Sequence, residues 1–207
     1  LHISKTLSNA VQSHADKTAL VVDGSPLNYR DLDDRSNGLA RALVGLGIAP
    51  GDRVTLYGPN SWQWIVAYYA IAKVGAVGNP INVMLTPEEV TYVLRDCGAR
   101  VLVASADNGG PVLDAAPPVA HALLWDGPPG PGALELETLI DDHAGPFAVV
   151  DCAADEDIFG VVRDGVPDTR IQGFGGMLAN DDIWRVVTAI RADSRCDDPD
   201  GQAPDSR

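Results

Sequence analysis

The sequence predicts a layered α/β fold, with a largely parallel sheet flanked by helices. Three observations carry that prediction. Strand-like and helix-like segments alternate at the spacing of βαβ units over most of the first 150 residues. The helical segments carry their own start and stop signals. One of them is apolar around most of its circumference, the pattern of a helix enclosed between layers.

Taken in order, LHISKTLSNAVQSHA places Ile3, Leu7, Ala10 and Val11 on one helical face. TALVVDG reads as a strand running into a turn at Asp23-Gly24-Ser25-Pro26. LNYRDLDDRSNGLARALVGLG is a helix with both ends defined. Asn28 caps it with Asp31 three residues on, Leu32, Leu39, Leu43 and Leu46 share a face, and Gly47 followed by Pro50 stops it. DRVTLYG is the next strand. PNSWQWIVAYYAIAKVGA, capped by Asn60 or Ser61, is the helix apolar on nearly all sides, and the short strand VGNPI follows it. Thr86-Pro87-Glu88-Glu89 combines a capping box with proline at the first helical position. Val90, Val93, Leu94 and Cys97 form that helix's apolar face, Gly98 ends it, and RVLVAS is a strand. SADNGGP and DGPPGPG read as loops on either side of the strand VAHALLW, and ELETLIDDHA as a short amphipathic helix. There is no internal repeat.

Composition narrows the function. A chain of 207 residues holds one good domain, or one domain plus a poorly ordered end. Apolar residues make up 45% and charged residues 21%, the balance of a soluble globular protein. A net charge of −14 opposes binding to nucleic acid or to an anionic membrane surface. No apolar run approaches the ~20 residues of a bilayer span, and LHISKTLSNAV lacks a signal peptide's apolar core, so the expected location is the cytoplasm. Leu1 in place of Met leaves room for residues upstream. Cys97, Cys152 and Cys196 form no CxxC pair, and His2, His14, His121 and His143 show no metal-binding spacing. No metal site follows from them.

The character changes after about residue 150. Residues 151–207 hold thirteen acidic residues and six arginines but no lysine. NDDIWRVVTAIR has Asn180 as a cap and Ile183, Val186, Val187 and Ile190 on one face, so a short helix is expected. The last residues have almost nothing to bury, and disorder is expected there.

The stretch GDRVTLYGPNSWQWIVAYYAIAKVGAVGNPINVMLTPEEVTYVLRDCGARVLVAS resembles the N-terminal part of the AMP-forming acyl-CoA synthetases, the adenylating superfamily. LNYRDLDDRSNGLARALVGLGIAPGDRV is similar to that family's opening helix and loop, PNSWQWIVAYYAIAKVGAV to its buried helix, and NPINVMLTPEEVTYVLRDCGARVLV to the segment after that helix. Agreement in order and spacing covers roughly residues 1–162. The resemblance implies an incomplete N-terminal portion of the adenylating-enzyme large domain at 1–162. A divergent glycine-rich loop and short helix at 163–192, and an acidic tail at 193–207, complete the expected organisation. It also implies an ancestral chemistry: ATP-dependent adenylation of a carboxylic acid, fatty acids included, then thioester formation with coenzyme A. ATP, Mg²⁺ and CoA are the cofactors of the family.

That family's phosphate loop is rich in Ser, Thr and Gly, ends in Lys-Gly, and follows a strand preceded by acidic residues. AADEDIFGVV is similar to the approach strand, so the loop belongs near Arg163. In its place stands RDGVPDTRIQGFGGM. Asp164 and Asp168 repel a polyphosphate, Thr169 is the one hydroxyl residue, and Arg163 and Arg170 are the only cations. The last lysine of the chain is Lys73. No catalytic, cofactor-binding or metal residue carries over, and no cofactor is expected for this chain.

The remaining candidates have ordinary readings. GFGGM, with glycines at 173, 175 and 176, is not GxGxxG and reads as a flexible loop. The pairs Asp33-Asp34, Asp141-Asp142 and Asp181-Asp182 read as solvated helix surface. Trp62, Trp64, Tyr68 and Tyr69 suit an acyl pocket, but at helical spacing they read first as core and interface packing. Cys97 reads as a structural thiol. Two functions lead, and a third, a minimal ligase that still binds ATP through the altered loop, ranks last. One is a truncated acyl-CoA ligase without activity of its own, as a frameshift near residue 163 would leave. The other is a non-catalytic module that binds a full-length synthetase, another protein or itself through exposed apolar sheet or helix surface.

Overall fold

The structure is a computed structural model that describes residues 3–150. Helix α1 (Ile3–His14) buries Leu7, while Ile3 at its start is exposed. Strands β1 (Thr18–Val22) and β2 (Ser25–Asn28) pair antiparallel as a hairpin. Asp23 and Gly24 turn it with φ of 49° and 78°, the left-handed pair that matches the twist of two-residue hairpins. Ser25-Pro26, expected as turn, is therefore strand, because pairing with Val22 and Val21 extends the hairpin to the turn itself.

Helix α2 (Tyr29–Gly45) starts where its cap predicts: the Asp31 amide donates to Asn28 Oδ1 at 2.8 Å. Strand β3 (Arg53–Tyr57) leads to α3 (Trp62–Val74), where Ser61 rather than Asn60 is the cap, its Oγ accepting from the Trp64 amide at 3.1 Å. Gly75 closes α3 at φ 81°, a conformation costly for any residue with a Cβ. Strand β4 (Val77–Pro80) follows, then α4 (Pro87–Cys97), whose capping box is complete. The Glu89 amide donates to Thr86 Oγ1 at 3.3 Å, and the Thr86 amide to Glu89 Oε2 at 2.8 Å. Strand β5 (Val101–Ser105) is followed by α5 (Ala106–Asp114), then β6 (His121–Trp125), β7 (Leu134–Glu135) and α6 (Leu136–Asp142).

Helix α5 corrects the loop expected over SADNGGP. Its ADNGGPVLD sequence has poor helix propensity and includes Pro111, but Val112 and Gly109 are buried against the sheet. Packing overrides propensity here. The two-residue β7 takes Leu134, which the sequence reading left unassigned, and Glu135, the first residue of the expected helix, so that helix starts at Leu136.

The five longer-range strands form one parallel sheet in the order β4-β3-β5-β6-β7. Alternate residues of its central strands serve two cores, as the two-residue period of a strand requires. Val54, Leu56, Val101, Val103, Leu123 and Trp125 pack with α2, α3 and α6, whereas Tyr57, Leu102, Ala104 and Leu124 pack with α4 and α5. Helix α3 is the enclosed helix: Val66, Ala67, Ala70, Ile71 and Val74 are all at most 2% exposed. The α/β class with a parallel sheet under helices is as the sequence predicts.

Candidate functional site

In open parallel sheets, ligands sit beyond the carboxyl ends of the strands where the strand order reverses. That reversal falls between β3 and β5, since β3 is followed outward by β4 and the chain then returns to β5. Just past the end of β3 the packing is close. A Cβ on Gly58 would lie 2.7 Å from Trp125 Cζ2 and 3.1 Å from the Ser105 amide nitrogen. The indole of Trp125 is fully buried, and its Nε1 has no hydrogen-bond partner among the described residues. Beside it, Gln63 donates through Nε2 to Asp126 Oδ1 at 2.8 Å and Glu137 Oε1 at 2.9 Å, which ties α3 to the end of β6 and the start of α6.

The densest polar constellation lies elsewhere, between α2 and α3. Lys73 is wholly buried, and its Nζ donates to Asp33 Oδ1 at 2.8 Å, Ser36 Oγ at 2.7 Å, Asn37 Oδ1 at 2.7 Å and the Asp33 carbonyl at 3.2 Å. Asn37 Nδ2 and Ser8 Oγ donate in turn to the Asp33 carboxylate, at 3.1 and 3.4 Å. Burial pulls the ammonium's pKa below the usual lysine range, partly opposed by the hydrogen bond and charge of Asp33 and by Asp34. Asp33 is thus a buried-lysine partner, not solvated surface as expected; Asp34 does face solvent. The signal for this cluster was a single lysine inside an apolar helix, facing Asp33, Ser36 and Asn37 at helical spacing on α2.

The aromatic candidates all lie on α3. Trp64 and Tyr68 stack at 5.6 Å between ring centroids, Tyr69 meets Tyr68 edge-on at 6.1 Å, and Arg35 lies 4.3 Å above the Trp62 ring. All four aromatic rings pack against the core while remaining partly exposed. Burial, then Tyr68 and Tyr29, push the Tyr69 phenol pKa upward. Beside Trp64 runs a half-open groove of about 430 Å³, lined by Leu20, Val22, Asn60, Ser61 and Ile65. Its size and apolar lining suit a small-molecule site.

The other candidates have structural roles or none. Asp141 and Asp142 are exposed. Cys97 is half-buried, its Sγ accepting from Asn79 Nδ2 at 3.4 Å. His143 Nδ1 lies 2.9 Å from the Leu139 carbonyl, and His14 is exposed. Asp181-Asp182, the glycines of GFGGM, His2, Cys152 and Cys196 lie outside the described residues, as do the expected helix at NDDIWRVVTAIR and the tail. Among the described residues no three His, Cys, Asp or Glu side chains come together as a metal site.

Residues 7–159 match the family model of the AMP-binding enzymes. The chain belongs to that family. It is 35% identical over 137 residues to the long-chain-fatty-acid–CoA ligase FadD13 of Mycobacterium tuberculosis, covering 64% of this chain and 26% of the relative. A 3-hydroxybenzoate–CoA/4-hydroxybenzoate–CoA ligase of Thauera aromatica is 26% identical over 193 residues, covering 89% of this chain and 36% of its own. Among solved structures, the anthranilate CoA ligase AuaEII with anthranoyl-AMP superposes with a TM-score of 0.70 at 27% identity, over 73% of this chain and 30% of that one. The Mycobacterium tuberculosis fatty acyl CoA synthetase gives 0.65 at 31% identity, over 74% and 31%. The chain thus spans about a quarter to a third of the length of these relatives. No helix among the described residues is long and apolar enough to cross a membrane.

Proposed function

We propose that this polypeptide carries the N-terminal framework of an ATP-dependent fatty-acid or acyl-CoA ligase and has no adenylating activity on its own. The lysine inventory supports this best. The chain has three lysines: Lys5 and Lys17 lie in and just after α1, and Lys73 is locked to Asp33, Ser36 and Asn37 inside the fold. Lys73 is therefore not free to share the charge of the departing pyrophosphate, and the stretch at the phosphate-loop position brings Asp164 and Asp168 instead. Acyl adenylation needs that charge met, because the carboxylate attacks an already anionic phosphate.

The test is ATP–pyrophosphate exchange by the purified 207-residue chain with Mg²⁺ and a panel of fatty and aryl acids. Exchange at background is expected; acid-dependent exchange overturns the reading. Translating the encoding DNA beyond codon 150 in all frames tests the frameshift origin. A Ser/Thr/Gly-rich loop ending in Lys-Gly in another frame supports it. The Thauera aromatica match weighs against it, since a span of 89% of 207 residues includes residues 163–177.

A second reading, a module that binds a full-length synthetase or itself, draws on the half-open groove along α3 and on Val21, Met84 and Tyr92, which are 62%, 82% and 65% exposed. A soluble, stoichiometric complex in light scattering would favour it.

A further inference from the structure

After α6 the chain does not leave the domain at once. Residues 144–150 run back across α2 and α3 as a strap held at three points. Arg41 Nη1 donates to the Pro146 carbonyl at 3.4 Å, Phe147 packs against the larger core, and the Val150 amide donates to the Lys73 carbonyl at 2.8 Å. The last bond completes the capping of α3. The amides of Gly75 and Ala76 already serve the Ile71 and Ala72 carbonyls, and Val150, 77 positions away in sequence, serves the next carbonyl along. The residue that receives the strap is also the one whose side chain joins α3 to α2, through four contacts to Asp33, Ser36 and Asn37. One residue therefore holds both the last turn of α3 and Val150 of the strap.

We infer that the Lys73–Asp33 junction is the catch of this strap: while the junction holds α3 against α2, the Lys73 carbonyl holds Val150, and loosening the junction releases the strap before it disturbs the sheet. The sheet has a second support, since Tyr57, Leu102, Ala104 and Leu124 pack with α4 and α5 in a core that includes no residue of α2 or α3.

Amide hydrogen exchange on the full chain tests this, read at Val150, at Ile71 and Ala72 in α3, and at Val103 and Leu123 in the sheet. In Asp33→Asn, which keeps the shape but removes the charge, the Val150 amide exchanges about tenfold faster, the scale of a lost hydrogen bond to a charged group. Val103 and Leu123 keep their protection. Should that variant fail to fold, Ser36→Ala removes one ammonium contact and leaves the ion pair; a severalfold rise at Val150 alone is expected. Val150→Pro removes the strap's bond without touching the junction and leaves Ile71 and Ala72 protected. An unchanged Val150 rate in Asp33→Asn or Ser36→Ala overturns the inference. So does an equal rise at every site, which would make the junction a contributor to global stability only.

Discussion

Lys73 Nζ and Asp33 Oδ1 lie 2.8 Å apart across the α2–α3 interface, with the lysine side chain wholly buried and the aspartate 17% exposed. The pair has a steep asymmetry: the intact junction offsets most of its desolvation, whereas one partner left alone is an uncompensated charge in the core. Lys73→Met is therefore expected to lower unfolding stability by about 3 kcal/mol, toward the low end for a broken buried pair because Asp33 reaches some water. Lys73→Met combined with Asp33→Leu is expected to recover most of that loss. Urea titration of the two single variants and the double checks it through a double-mutant cycle.

The direction of the Lys73 shift fixes a pH dependence. Its folded pKa is lowered from 10.5 mainly by burial, so above the folded value and below 10.5 the unfolded chain binds more protons than the folded one. This group's contribution to stability therefore rises with pH through that window, and the rise disappears in Lys73→Met. Asp52 acts at the other end of the scale. The Ala49 amide, against some opposing burial, and then Arg100 at 2.6 Å hold its carboxyl below 3.8. Its contribution is present above the ordinary carboxylate range and lost as pH falls through the lowered value. Urea midpoints for wild type and Asp52→Asn should thus converge at low pH.

The class of fold and nearly all of its element ends were legible because they are encoded locally. Asn28, Thr86 with Glu89, Gly75 and Gly98 act on amides and carbonyls within four residues of themselves. The features that sequence alone did not show depend on distant partners. Helix α5 exists because Gly109 fits against Ala104 and Leu124, and the buried role of Asp33 exists because Lys73 arrives from another helix. Likewise, nothing local in Gly58 or Trp125 announces that they meet.

The two adjacent glycines of α5 should respond oppositely to the same change. A Cβ on Gly109 meets Leu124 Cδ2 in close contact and Ala104 Cβ at 2.9 Å, so Gly109→Ala overpacks the smaller core and is expected to cost about 1–3 kcal/mol. A Cβ on Gly110 meets nothing within 4 Å, and there the helix preference for alanine acts unopposed. Gly110→Ala is expected to gain about 0.5–1 kcal/mol. Thermal melts of the two variants, run side by side, check sign and size.

The aromatic side of α3 offers the last prediction. Trp64 borders the groove with Leu20, Val22 and Ile65, and its ring is braced by Tyr68, so the groove wall is apolar and held in place. A surface of that kind takes up an apolar fluorescent dye in the native state, before any unfolding. Ile65→Lys puts a charge into the groove while leaving the Trp64–Tyr68 stack, and is expected to abolish dye uptake with little change in the urea midpoint, because Ile65 is only partly buried. If uptake and self-association in light scattering fall together, the groove is the surface through which copies of the chain meet. If the native wild-type chain takes up no dye and stays monomeric, the interaction-module reading fails and the ligase-framework reading stands alone.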